Sequence, residues 1–131
     1  MKARFSLLLL FTLLLTACGG AITVATPEEI EAYPEAEGAM RTWQGIVDSV
    51  EAKDCETLLT YTRLTLNVEG DACPDIYAYF EDEVPVVDWS RTDWSTSGGK
   101  AKIYEKDGGS ITSFIHNEKD DSWRTDEKFW E

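Results

Sequence analysis

The stretch that decides the fold is Glu81–Trp94, EDEVPVVDWSRTDW. Two patterns meet inside it. Before Pro85, apolar residues recur at three- and four-residue steps, the period of a helix lying on a core. After Pro85 they alternate with polar ones, Val87, Trp89, Arg91 and Asp93 on one side and Val86, Asp88, Ser90 and Thr92 on the other, the period of a strand. Proline removes a backbone donor and restricts the residue before it, so it ends the helical pattern where it stands.

Upstream, EGAMRTWQGIVDSVEAKD spaces Met40, Trp43, Ile46, Val47 and Val50 along one face, which predicts an amphipathic helix. Asp54 is placed to cap a short second helix, CETLLTYT, with Leu58 and Leu59 as its apolar pair. NVEGD breaks the chain. Cys73-Pro74 opens a third helix, since proline suits a first turn whose N–H has no intrahelical acceptor. Ile76, Tyr77 and Phe80 give it an apolar face.

Downstream, VVDWSRTDW, KAKIYEK, SITSFIHN and SWRTDEKFW read as four strands, with DGG marking a hairpin and NEKDD the last turn. Helices followed by antiparallel strands predict an α+β domain, with the helices covering one face of a four-stranded sheet. The order of elements resembles the cone-shaped fold of the nuclear-transport-factor-two superfamily, which includes ketosteroid isomerases and polyketide cyclases. WQGIVDSVEAKDCETLLTYT resembles its first helix, acidic turn and short second helix. CPDIYAYF resembles the small helix before the sheet, and SWRTDEKFW the closing strand. The resemblance implies a curved sheet wrapped around the long helix, with space for an apolar pocket between them.

The amino terminus carries an address. Lys2 and Arg4 precede an apolar run from Phe5 to Leu15. At about eleven residues it has the length of a signal peptide core, where a membrane span needs about 20. LTAC, Leu15–Cys18, is similar to a bacterial lipobox, which implies cleavage before Cys18 and a diacylglycerol on its thiol. An ordinary secretory signal cut after Ala17 is the alternative. The predicted division is a signal peptide over 1–17, a lipidated flexible tether over 18–35, and a domain over 36–131. Lipid on Cys18 places the chain in the cell envelope, outside the cytoplasm, with membrane lipid as its first partner.

Formal charge is −13, and loss of Lys2 and Arg4 with the signal leaves −15. Such a surface repels nucleic acid and favours cationic partners. With Cys18 acylated, Cys55 and Cys73 remain as an even pair in an oxidising compartment, which predicts a disulfide.

No phosphate-binding glycine loop, activated serine triad or zinc ligand set is present, so no metal and no cofactor is expected. Asp88, Asp93, Tyr104, His116 and Asp126 all fall on predicted strands. Any of them would serve an isomerase-type enzyme if buried in a pocket, where desolvation raises a carboxyl pKa. Their polar neighbours point instead to solvated positions. Tryptophan is abundant, at five residues. Trp43 and Trp123, the pair expected to meet between helix and sheet, together with Tyr104 form the predicted pocket for an apolar or sugar-like ligand. The expected role is a non-catalytic interaction or small-ligand-binding module, acting on an unidentified protein or small molecule. The alternative is a small isomerase or cyclase with a pocket carboxylate or histidine.

Overall fold

A computed structural model describes residues 22–62, 72–95 and 99–130. The predicted signal peptide and the lipidation residue, Cys18, lie outside the described residues. The order is α1 (Pro27–Ala32), a 3-10 turn (Pro34–Ala36), α2 (Glu37–Glu51), α3 (Cys55–Thr60), α4 (Cys73–Asp82), a second 3-10 turn (Trp89–Arg91), β1 (Asp93–Ser95), β2 (Lys100–Tyr104), β3 (Ser110–Asn117) and β4 (Ser122–Thr125). The α+β reading holds.

Helix α2 is the spine. Its apolar positions put Ala39, Met40, Trp43, Ile46, Val47 and Val50 in the core. It ends in a Schellman turn: Asp54 N–H donates to Ser49 O at 2.9 Å and Lys53 N–H to Val50 O at 3.1 Å. Lys53 takes the left-handed position at φ 53°, and its ammonium lies 4.5 Å from the centre of the Tyr77 ring. Asp54 then caps α3 by accepting from Thr57 N–H at 3.1 Å. These hydrogen bonds, from the Thr57 hydroxyl first and its backbone N–H second, hold the Asp54 carboxyl below the usual range. The Cys55–Cys73 disulfide forms as predicted and ties the start of α3 to the start of α4.

The strands form an antiparallel sheet in the order β1-β2-β3-β4, whose body is β2, β3 and β4. β1 adds three residues along β2. Ala101, Ile103 and Phe114 point into the core. Trp43 crosses from α2 to meet Phe80 at 5.6 Å, Phe114 at 6.3 Å and Phe129 at 5.4 Å between ring centres.

Three boundaries differ from the sequence reading. The first strand does not run from Val86 to Trp94. Residues 86–88 do pair along the end of β2, with Asp88 N–H donating to Tyr104 O at 2.9 Å and Lys106 N–H to Val86 O at 2.8 Å. The Asp88 carboxylate then accepts from Ser90 N–H at 3.1 Å and from its hydroxyl at 2.5 Å, and this 3-10 turn interrupts the pairing until Asp93. The last strand stops at Thr125. Phe129 and Trp130 are adjacent and both buried, which strand alternation forbids. The tether reading needs correcting from Ile22 on. Thr26 and Glu29 form a complete capping box with Pro27 in the first turn of α1, and Ala25 and Ala36 are buried.

Candidate functional site

Two glycines seven residues apart lie on one face of α2, because seven residues are close to two helical turns. Each receives an aromatic ring. A Cβ on Gly38 would come within 2.6 Å of Trp123 Cδ1, and one on Gly45 within 2.7 Å of Tyr61 Cε2. Both rings come from the same junction. Tyr61 closes α3, and its carbonyl accepts from Thr125 N–H at 2.8 Å, which pins the end of α3 to the end of β4. Trp123 sits on β4 opposite His116.

The rings therefore stand as a wall along the outer face of α2, and a groove runs beside them. Its wider half holds about 510 Å³ and is lined by Pro34, Glu35, Gly38, Thr42, Thr60, Asp121, Trp123 and Arg124 among others. Its narrower half holds about 330 Å³ and passes between Tyr61 and the segment carrying Val24, Ala25 and Ile30. Glu37, Arg41 and Tyr61 border both halves. Volumes of this order suit small ligands or a short stretch of chain.

The wall is braced from behind. The His116 ring lies 4.8 Å from Trp123 at 31°, close to stacked. His116 Nε2 and Asp121 Oδ1 are 2.7 Å apart, with Asp121 in the left-handed region at φ 54°. The Thr42 hydroxyl lies 3.0 Å from Gly38 O and 3.3 Å from Trp123 O, its two possible acceptors on helix and strand. The groove's charge is mixed and leans negative. Arg41 is ion-paired with Glu37 one turn before it. Arg124 reaches Asp120 only at 3.8 Å, and its Nε is buried without a hydrogen-bond partner. The Asp120 carboxyl is held low, first by the Ser122 hydroxyl and then by the Ser122 N–H. Glu35, Glu37 and Asp121 line the wider half together with these two arginines.

The three residues read as a pocket are not brought together. Trp43 has no exposed surface and fills the core; its rings neighbours are phenylalanines, and Trp123 is on the other side of the helix surface, over Gly38. Tyr104 lies under the Arg91 guanidinium, 4.8 Å from its ring centre. Arg91 also donates to Glu105 O and Gly108 O, each at 3.1 Å, and so clamps the β2–β3 hairpin. Of the proton-transfer candidates, Asp88 caps a turn, Asp93 is exposed, and Asp126 is 2.9 Å from Lys100 Nζ. His116 backs the groove wall.

Sequence reasoning missed Gly38, Gly45, Tyr61 and Arg41. The available signal was the Gly38–Gly45 spacing, which marks a bare stripe on a helix whose opposite face is apolar. Among the described residues, no group of three His, Cys, Asp or Glu side chains is placed to hold a metal ion, and no helix is long and apolar enough to cross a membrane. No protein-family model, curated protein or solved structure matches the chain.

Proposed function

We propose that this chain is a membrane-anchored extracytoplasmic lipoprotein, held by a diacylglycerol on Cys18, whose folded unit is a non-catalytic binding module. One observation carries the choice of binding over catalysis. The space between α2 and the sheet is filled by Trp43, Phe80, Phe114 and Phe129, while the open groove lies on the outer face of α2. An isomerase-type mechanism needs a desolvated base facing a cavity. Asp88, Asp126 and His116 are instead half-buried and engaged in a cap, an ion pair and a wall brace.

The similarity to the nuclear-transport-factor-two superfamily supplies the cone-like description. A register shift between Ile103 and Tyr104 supports it, since a bulge bends the strand that carries it. The groove takes a positively charged, extended ligand, a basic peptide segment being the fitting class. Carboxylates outnumber guanidiniums along it, two aromatic rings border it, and the chain's charge of −13 attracts cations from a distance.

Titration with tetralysine amide, followed by calorimetry and tryptophan fluorescence, tests the groove. Trp123→Ala is expected to weaken binding by about 2- to 30-fold, from a cation–π contact of about 0.5–2 kcal/mol. Tetraglutamate is expected not to bind. Equal affinity for the two peptides would defeat the assignment. Incorporation of labelled fatty acid, expected in the natural chain and lost in Cys18→Ala, tests the anchor separately.

A further inference from the structure

The segment before α1 is held by a side chain acting as a neighbouring strand would. Gln44 Nε2 donates to Ile22 O at 2.7 Å, and Gln44 Oε1 accepts from Val24 N–H at 2.9 Å. Asp48 Oδ1 also accepts from that Nε2 at 2.9 Å and fixes which way the amide faces. From a different part of the fold, the buried Trp89 donates its indole N–H to Val24 O at 3.0 Å. Ala25 is buried and the capping box starts at Thr26. Ile22 and Val24, which lead into α1, are thus bound to two separate elements, α2 and the turn before β1.

We infer that Ile22–Ala32 is a fixed strap, and that a zwitterionic bilayer surface is the partner of the face it forms. The bilayer half of this inference rests on the lipoprotein reading. From an acylated Cys18 to Ile22 the chain makes four Cα steps, a reach of about 14 Å at full extension. A free linker through residue 35 would span about 20–25 Å on average. A domain of this size has a radius of gyration of about 13 Å. Four such steps span about 11 Å on average, less than that radius, and so short a leash keeps the attachment side toward the bilayer, because turning the opposite side down would need chain to pass around the domain.

The strap is also where apolar surface is left over. Ile22 and Ile30 are 41% and 36% exposed, and among the described residues only Val86 joins them as an exposed large aliphatic. Glu28, Glu29 and Glu31 surround Ile30 in sequence. They repel anionic headgroups, so the surface that fits is a zwitterionic one. The strap wall of the groove then opens at the headgroup layer, and the groove's ligand is met there.

The test uses the acylated full-length mature chain in phosphatidylcholine vesicles, with a donor dye on Glu31→Cys and acceptor dye on a fraction of the headgroups. A flexible spacer of about fifteen Gly/Ser residues between Gly20 and Ala21 is expected to lower energy transfer by about two-fold or more, by lengthening the leash past the domain radius. Gln44→Ala is expected to lower it part of the way. Replacing a third of the lipid by phosphatidylglycerol is expected to lower it as well. Transfer unchanged by the spacer would overturn the short leash, and transfer raised by phosphatidylglycerol would overturn the zwitterionic surface. Mass spectrometry and hydrogen exchange on the same samples separate the failures. Absence of acyl mass on Cys18 would remove the lipoprotein reading and its bilayer partner. A Val24 amide exchanging at the free-peptide rate would remove the strap while leaving the anchor standing.

Discussion

Gly38→Ala sets two terms of opposite sign against each other. Glycine to alanine in a helix ordinarily stabilises by up to about 1 kcal/mol. Here the new methyl would lie 2.6 Å from Trp123 Cδ1 and 2.8 Å from Cε2, far inside contact distance. The indole has little room to retreat. The His116 ring lies behind it at 4.8 Å, tilted by 31°, and β4 holds its backbone in register with β3. Overpacking of this kind costs about 1–3 kcal/mol, so the net change is a loss of about 0–2 kcal/mol where an open helix face would gain. In a Trp123→Ala background the methyl enters vacated space and the same substitution stabilises by up to about 1 kcal/mol. The double-mutant cycle therefore carries a coupling of about 1–3 kcal/mol. Urea unfolding of the four proteins reads it, with an unchanged slope showing that the same surface is exposed each time. Gly45→Ala is the internal control. Its methyl meets the far end of Tyr61, a ring that can swing toward the groove, so its cost is smaller. Stabilisation by Gly38→Ala in the natural background, with no coupling to Trp123, would show that the indole does not lie on the helix and that the groove wall is misplaced.

Two further predictions concern stability. Replacing Cys55 and Cys73 together by serine frees a loop of 18 residues and is expected to cost about 3 kcal/mol, a fall in Tm of about 12–24 °C for a domain of this size; calorimetry showing a fall of under about 4 °C would mean that the bridge does not constrain the unfolded chain. Burial, and after it the Glu105 charge, raises the Tyr79 phenol above its ordinary value of 10.0. The unfolded chain therefore loses this proton first, the native state binds more protons, and stability is full below about pH 10 and declines as pH rises through the folded value. Glu105→Gln is expected to lower the Tyr79 midpoint in an ultraviolet titration, and an unmoved midpoint would remove Glu105 as a cause.

What was legible in the sequence followed from periodicity and from parity of cysteines. The step of three and four through Met40, Trp43, Ile46, Val47 and Val50 fixed α2 and its buried face. Asp54 and Pro74 marked the starts of their helices, and alternation in KAKIY gave β2 its burial pattern. What escaped was set by contacts distant in sequence. The capping box of Thr26 and Glu29 is a local signal for α1, but the docking of the 22–36 segment is not local, since it depends on Gln44, about 20 residues on, and Trp89, 65 residues from Val24. Trp43 and Trp123 share no local signal of facing apart. Their separation depends on Gly38, whose missing side chain admits the indole on the outer side of the helix. The turn that follows Asp88 is hidden because alternation is blind to a carboxylate that turns back on its own backbone.

Groove and strap are one mechanical unit, and this bears on how the module works. Val24, Ala25 and Ile30 line the narrower half on one side, and Gln44, which holds Val24, belongs to the same helix as the floor. A ligand seated there touches the strap, so it binds the closed strap better than the open one. Linkage then requires reciprocity: the factor by which ligand suppresses strap opening equals the factor by which closing the strap strengthens the ligand. The strap is held by three hydrogen bonds, from Gln44 and Trp89, each contributing about 0.5–1.5 kcal/mol, and by the packing of Val24 and Ala25 on the core. Opening is thus a local event, well below global unfolding in cost. It removes one wall of the groove and, on the proposed acylation of Cys18, lengthens the leash in the same step. With Cys18 acylated as proposed, a module built this way would hold the proposed ligand close to the bilayer when strapped, and would gain reach only by giving up part of its grip.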